Sequence, residues 1–481
     1  MPPRRRLRRL PLGSAGGGVT AAFGTRWSAW PIWVLAILLV GFFLGAFAAA
    51  TPPDYAIALA VLPAVVAVLL RPEWLPCLLT VTLFVESLSF GGLVVSRLAG
   101  PLALAIVLIR VTLSEWPKFP RREVLWAAGL YCAWAVASTW WTVNPNNGFE
   151  EGGTGFAIAS LGLSLSYMMA FAFLVENTRD LSRIGVTIWI AAVAVGSVAV
   201  VQYLFSGYGR ATAYTGDANF FAALQVISIP ICIVVAGRMP TPRLRAIGYL
   251  GVALVTGSVF VSLSRGGLLG LIGVLVLVVF QPYRTMFRSR TDKRVALAVI
   301  LIGAGILFYG AFNGLVARGQ SLFDTADGGS GRTNLWKAAD TGWHEHEIHG
   351  LGYGAFPSQS NRLLLATPGT EYSAYKLRPT GQVAHSAYIG TLAELGIVGL
   401  ALFLGVLAML IRTVVWARKR ALARDDELVA SMTTAFLIAI IGFIVVSFFL
   451  STESDRSLWV MLGLALAIAR VVDRPLKELP R

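Results

Sequence analysis

Apolar residues in this chain run in long uninterrupted stretches, and charged residues gather in short clusters between them. Residues 295–312 are the plainest case, carrying no charge and being apolar on every face of a helix. A run of that kind crosses the hydrocarbon core of a bilayer as a helix, which needs about 20 residues. Relaxing the requirement to about 16 where the flanks are clear leaves roughly fourteen candidates. They begin near residues 31, 55, 74, 97, 124, 155, 183, 218, 245, 266, 295, 385, 428 and 456. The second, third and tenth carry the weakest signal. The predicted fold is all-α, a polytopic transmembrane helical protein of about 12–14 spans. A membrane β-barrel is excluded, because its strands alternate apolar and polar residues.

Composition agrees: 56% of the 481 residues are hydrophobic, 14% are charged, and the mean hydropathy is +0.70. Ordinary soluble domains have about 25% charged residues, so a soluble enzyme is excluded. The net charge of +15 raises the question of nucleic acid. No basic stripe is interleaved with stacking aromatics, so nucleic acid is not an expected partner. The basic residues instead mark one side of the membrane.

With a cytoplasmic N-terminus, the inside segments carry Arg4, Arg5, Arg6, Arg8 and Arg9, then Lys118, Arg121 and Arg122, then Arg238, Arg243 and Arg245. Arg284, Arg288, Arg290, Lys293 and Arg294 follow, then Arg418, Lys419, Arg420 and Arg424, and in the tail Arg474, Lys477 and Arg481. The other side carries Asp54, Glu150, Glu151, Asp217, Glu453 and Asp455. Expected divisions are a basic disordered cytoplasmic leader at 1–30, spans with short loops at 31–313, a large periplasmic or extracellular loop at 314–384, further spans at 385–472 and a cytoplasmic tail at 473–481. Ala48, Ala49 and Ala50 before Thr51 imitate a signal-peptidase site, but the long leader favours an uncleaved anchor. Cys77, Cys132 and Cys232 lie in apolar stretches and suggest packing residues rather than a disulfide or zinc framework.

The large loop holds six basic and six acidic residues, so bulk charge attraction is not its purpose. Thr333 is placed to cap a helix whose Leu335, Trp336, Ala339 and Trp343 form an apolar face suited to the membrane surface. Gly350-Leu351-Gly352-Tyr353-Gly354 then breaks the helix and lets backbone approach a ligand or a second helix. His344, His346 and His349 form H-x-H-x-x-H, which lacks the order of a zinc-binding H-E-x-x-H helix, so no metal is expected.

Outside that loop the outer face has few basic residues: Arg97, Arg210, Arg265 and Arg456. Arg210 and Arg265 lie in glycine-containing turns at span ends. A carboxylate or a headgroup phosphate is one partner for each. A pair of guanidinium groups also matches the oxygens of a diphosphate. His385 opens the next span, with Ser386, Tyr388 and Glu394 following, and imidazole accepts a proton near neutral pH. A polar anchor is the alternative role for a histidine at that place. Glu394 is too far along the helix to orient His385 directly and is a supporting candidate.

These residues resemble the O-antigen ligase and polymerase superfamily of polytopic bacterial envelope glycosyltransferases. The resemblance rests on Ser264-Arg265-Gly266-Gly267, on Gly331-Arg332 with Trp336, His346, Gly350-Leu351-Gly352-Tyr353-Gly354 and Phe356, and on His385 with Tyr388, Glu394, Leu395-Gly396 and Gly399. It covers roughly residues 200 to 410. It implies about twelve spans, cytoplasmic termini in the cytoplasmic (inner) membrane, and an active site on the outer face. It further implies transfer of a glycan from a polyprenyl (undecaprenyl) diphosphate carrier to a hydroxyl of lipid A core, another glycan or a protein, in lipopolysaccharide or polysaccharide biosynthesis. Arg210 and Arg265 would then bind the carrier diphosphate and His385 would act at the acceptor, inverting and without a metal or other cofactor. Arg332, Ser264, Asn219 and Glu394 are the supporting candidates, Arg332 being equally suited to a loop salt bridge. Ser386 stands where the family commonly has asparagine. Ligase and polymerase remain alternatives, as do a lipid-linked glycan flippase or transporter and an envelope scaffold. Few ionisable residues lie in the middle of the spans, which weighs against transport.

Overall fold

The computed structural model describes residues 71–87, 89–90, 93–113, 116–146, 148–149, 152–205, 209–320, 331–370, 377 and 381–474. The leader, the first two predicted spans with the segment at 48–51, and tail residues 475–481 lie outside the described residues, as do Asp54, Glu150, Glu151, Gly207, Tyr208, Asp324, Asp327, Glu371, Lys376, Arg378, Pro379 and Thr380.

A 3₁₀ turn at Pro72–Trp74 leads into α1 (Leu75–Phe84), followed by a short antiparallel pair, β1 (Ser89–Phe90) and β2 (Leu93–Val94). Then come α2 (Val95–Leu113), α3 (Glu123–Ala137), α4 (Thr154–Leu174), α5 (Thr178–Phe205), α6 (Ala218–Arg238), α7 (Pro242–Val261) and α8 (Arg265–Phe280). After the short α9 (Tyr283–Met286) the chain forms α10 (Arg290–Gln320), α11 (Arg332–Glu345), α12 (Phe356–Ala366), α13 (Ala387–Ala423), α14 (Glu427–Val446) and α15 (Arg456–Asp473). Every predicted span from the third onward coincides with a helix. Among the described residues, seven helices are long and apolar enough to cross a membrane: α4, α5, α6, α7, α10 over Arg290–Ala317, α13 and α14. This is an all-α, multi-pass membrane protein.

Polar side chains set where the helices start. Asp217, Ser264, Ser386, Asp426 and Asp455 each accept a hydrogen bond from a backbone N–H in the first turn of the following helix. The central post is α6, whose apolar window is 89% buried, and α5, α7, α8 and α14 pack around it. At the periphery α10 packs on α7 and is only 22% buried, so Leu301, Ile302, Ile306 and Tyr309 form a face for lipid. On the other side α4 packs between α2 and α15, and α3 packs on α13.

The long α13 is broken inside. Gly396 has φ 66° and ψ −168°, which is not helical, and its break divides a short head from a long shaft. The freed backbone groups pair with the chain that follows α11. Leu351 N–H donates to the Ala393 carbonyl (2.9 Å), Gly352 N–H to the Glu394 carbonyl (2.8 Å), and Ile397 N–H to the Glu347 carbonyl (2.9 Å). The indole N–H of Trp134 reaches the Leu395 carbonyl (3.1 Å), and that of Trp141 reaches the His349 carbonyl (3.2 Å). Nothing larger than glycine fits at the crossing: a Cβ on Gly396 would strike the Ile348 carbonyl, and one on Gly350 would strike the Glu394 backbone.

The apolar face of α11 is used differently from the sequence expectation. Leu335, Ala338 and Ala339 are buried in a cluster with Leu351, Phe356 and Leu363, so the face packs on protein rather than on the membrane surface. The helix is capped by Gly331 in the left-handed region (φ 75°), which places Thr333 inside the first turn.

Replacing Gly396 by alanine is expected to destabilise the fold by at least the 1–2 kcal/mol, roughly, of a left-handed backbone, plus the clash with Ile348. Gly405 lies in the regular shaft of α13 with open space around its Cα, so Gly405→Ala is the comparison expected to melt no lower than wild type. Thermal melts of the two detergent-purified variants check the difference.

Candidate functional site

Three segments meet at the end of the bundle that carries the 314–384 connection. The first is the turn before α6. Arg210 is half-buried; its Nε donates to the Ser262 carbonyl (3.2 Å) and its Nη2 to Asn219 Oδ1 (2.9 Å). The second is the turn between α7 and α8. Ser264 Oγ donates to the same Asn219 Oδ1 (2.9 Å) and accepts from Gly267 N–H (3.2 Å), capping α8. Asn219 therefore joins Arg210 to Ser264, and Arg265, also half-buried, is the first residue of α8. Two helix N-termini, those of α6 and α8, begin at this cluster and add positive potential to it.

The third segment is the head of α13. His385, half-buried, stands two residues before the helix, and Ser386 caps it. The connection after α14 holds this head beside α8: Ala387 N–H is shared between the Ser447 (2.9 Å) and Leu450 (3.0 Å) carbonyls, while Gly266 of α8 packs on the Phe449 side chain. One short connection thus touches both the arginine-bearing head of α8 and the histidine-bearing head of α13.

Backbone strain marks the same segments. Among the described residues, the non-glycine positions in the left-handed region are Ala213 (φ 46°), Leu263 (φ 51°), His385 (φ 52°) and Asp425 (φ 53°). Three of the four lie within the site segments, beside Arg210, beside Arg265 and at His385 itself. Such conformations cost roughly 1–3 kcal/mol each and persist where surrounding structure over-determines them.

The remaining sequence candidates fall elsewhere in the architecture. Glu394 is buried, and its carboxylate accepts from Gly354 N–H (2.8 Å) and Phe356 N–H (3.2 Å), pinning the glycine turn to α13. Arg332 starts α11 and is half-buried. Arg456 pairs with Glu86, and Arg362 forms a two-pronged pair with Glu345 (2.9 and 2.6 Å). Ser87 donates from both N–H and Oγ to the Tyr214 carbonyl (2.9 and 2.6 Å), tying the α1 end to the Arg210 turn.

Sequence reasoning counted Glu453 only as an outer-side charge. It is buried near Glu394, Tyr353 and Tyr131, and one oxygen, Oε2, has no hydrogen-bond partner among the described residues. Its Oε1 lies 3.5 Å from the Cβ position of Gly390, in the head of α13. A carboxylate in a connection too short to leave the bundle was the available signal.

The fold and these turns define a class, a multi-pass helical membrane protein with a cationic, strained site at one end. Residues 250–404 match the family model for O-antigen ligase. The match places that segment in the superfamily of O-antigen ligase and polymerase-type membrane glycosyltransferases, the superfamily that the motifs resemble. It includes Ser264, Arg265, Arg332, His385 and Glu394, whereas Arg210 and Asn219 lie before it. No curated protein matches the chain.

Burial pushes the Glu453 carboxyl well above the usual carboxylate range, with the neighbouring Glu394 adding to it. Burial and the Glu86 charge push Asp455 up to about 6, against the hydrogen bonds from Ser457. A carboxyl whose pKa is raised on folding binds its proton more tightly in the folded state. Its favourable contribution is therefore present at low pH and is lost as pH rises from the unfolded value through the folded one. For Asp455 that window runs from its ordinary value of 3.8 to about 6, and for Glu453 it extends higher. The melting temperature should be higher at pH 5 than at pH 7.5, and Glu453→Gln should flatten that slope. A pH series of melts on both proteins tests it.

Proposed function

We propose that the protein transfers a glycan from a polyprenyl diphosphate carrier to a hydroxyl acceptor at the outer face of the cytoplasmic membrane, as an O-antigen-ligase-like enzyme. The observation that carries this reading is the joining of Arg210, Asn219 and Ser264 into one hydrogen-bonded cluster at the head of α8, with Arg265 next in the chain. Asn219 and the Ser262 carbonyl are neutral partners, and they orient the Arg210 guanidinium. Such a cation, with Arg265 and the N-termini of α6 and α8, suits the two phosphates of a lipid carrier lying in the membrane beside the site.

The chemistry follows from charge. A polyprenyl diphosphate departs from the anomeric carbon when its developing negative charge is stabilised, and a preorganised cationic site supplies that stabilisation. His385 removes the proton from the acceptor hydroxyl as its oxygen attacks the anomeric carbon from the opposite face, so the new bond has inverted configuration. Donor and acceptor occupy the α8 and α13 sides of the connection through Ser447, Phe449 and Leu450. Glu394 acts at a distance from the reaction, by fixing the glycine turn against the head of α13.

A detergent-purified protein incubated with radiolabelled polyprenyl-diphosphate oligosaccharide and candidate acceptors tests the proposal. Wild type should form a labelled product. Arg265→Ala should abolish transfer, and His385→Ala should slow it by about 10²–10⁴-fold with the fold intact by gel filtration. A single product band favours ligation and a ladder favours polymerisation. Carrier that crosses a reconstituted bilayer with no covalent product would replace the enzyme with a flippase.

A further inference from the structure

The opposite end of the bundle carries a second site of different character. Residues 116–122, between α2 and α3, lie over the end of α4 and line an open cavity of about 430 Å³. Trp116, Phe119, Met169 and Phe173 wall it, and Lys118 and Arg122 stand at its rim. Trp116 and Phe119 each meet the Phe173 ring edge-on at 5.6 Å, which stiffens the wall. Arg470 backs it: the guanidinium lies 5.8 Å over the Phe119 ring and donates to the Phe173 (3.3 Å) and Val175 (2.8 Å) carbonyls at the end of α4.

Among the described residues, charge at the rim is one-sided. No carboxylate among the described residues lines the cavity, and the nearby Glu123 is paired with Arg121 at 3.6 Å. Lys118 and Arg122 are both exposed, and among the described residues neither has an ion-pair partner. Trp116, 66% exposed, lies at the mouth, where an indole suits a membrane–water boundary. An apolar aromatic pocket with two cations at its rim fits a molecule with an anionic head and hydrocarbon chains.

We propose that this cavity binds one anionic phospholipid of the adjacent leaflet, with its phosphate between Lys118 and Arg122 and an acyl chain along Met169 and Phe173. The site lies in residues 116–173, outside the family-matched segment, and does not depend on the proposed transfer reaction. A seated lipid would bridge the α2–α3 connection to α4.

Native mass spectrometry of the delipidated full-length protein, titrated with phosphatidylglycerol or phosphatidylcholine, tests this. The first phosphatidylglycerol should bind at least tenfold more tightly than phosphatidylcholine. Lys118→Ala with Arg122→Ala should bring the two within about twofold. Arg243→Ala with Arg245→Ala, an equal loss of charge at the start of α7, should leave the preference unchanged. Met169→Trp, which fills the cavity and keeps the cations, should weaken the first phosphatidylglycerol at least tenfold. The proposal is overturned if wild type does not discriminate, if both double variants behave alike, if Met169→Trp binds as wild type does, or if glycerol 3-phosphate displaces the lipid, which would make this a soluble-phosphate site.

Discussion

The arrangement at the loop-bearing end depends on the backbone crossing at Gly350 and Gly396. A membrane helix satisfies its own N–H and C=O groups, and any break must find partners within the protein, because hydrocarbon offers none. The 37 residues of α13 exceed what a bilayer requires, and the break at Gly396 splits them into a head and a shaft. The groups released there are taken up by Leu351, Gly352 and Glu347 and by the indole of Trp134. Two glycines permit the approach, and two N–H groups on the Glu394 carboxylate lock it. The connection with α11 and α12 is thereby an integral part of the bundle rather than a flap over it.

That crossing governs where His385 stands. The head of α13 is held from one side by the glycine turn and from the other by the carbonyls of Ser447 and Leu450. His385 is left at the junction, in a left-handed conformation that costs energy and has no glycine to relieve it. The same expense recurs at Leu263, immediately before Ser264 and Arg265, and at Ala213, between Arg210 and Asn219. Strain at all three entrances to the site indicates that the surrounding packing, rather than local preference, fixes these turns. The arginines at this end of the bundle differ in their partners. Arg456 and Arg362 pair with carboxylates, whereas Asn219 and the Ser262 carbonyl orient the guanidinium of Arg210.

Much of this was legible in the order of residues. Apolar runs located the helices because bilayer thickness imposes a length that little else imposes, whereas the caps at Asp217, Ser264 and Ser386 emerged only from the structure, and Thr333, expected as a cap, lies inside the first turn of α11. The glycine-rich turn announced a close approach. What it approaches was not legible, since Gly350 and Gly396 are distant in the chain and their meeting is a tertiary fact. The α11 face shows the same limit: its periodicity specified an apolar stripe, and only the fold determined that Phe356 and Leu363, rather than lipid, would cover it. Asn219 as the link between Arg210 and Ser264, and Glu453 beside Gly390, likewise needed three dimensions.

The two ends of the molecule set the same side chain to opposite uses. At the α2–α3 end, Arg470 is buried and donates to the Phe173 and Val175 carbonyls at the end of α4, where the negative end of the helix dipole makes a cation favourable. At the other end, Arg210 and Arg265 stand beside the N-termini of α6 and α8, where the dipole opposes a cation. A positive charge placed against the positive end of a helix gains nothing for stability. It concentrates potential at one place, and that potential is relieved by an anion with a high charge density. Arg470 at the C-terminus of α4 is thus explained by the fold, as is Arg456 at the N-terminus of α15 by its pair with Glu86, whereas Arg210 and Arg265 add to the positive potential that the proposed diphosphate would meet.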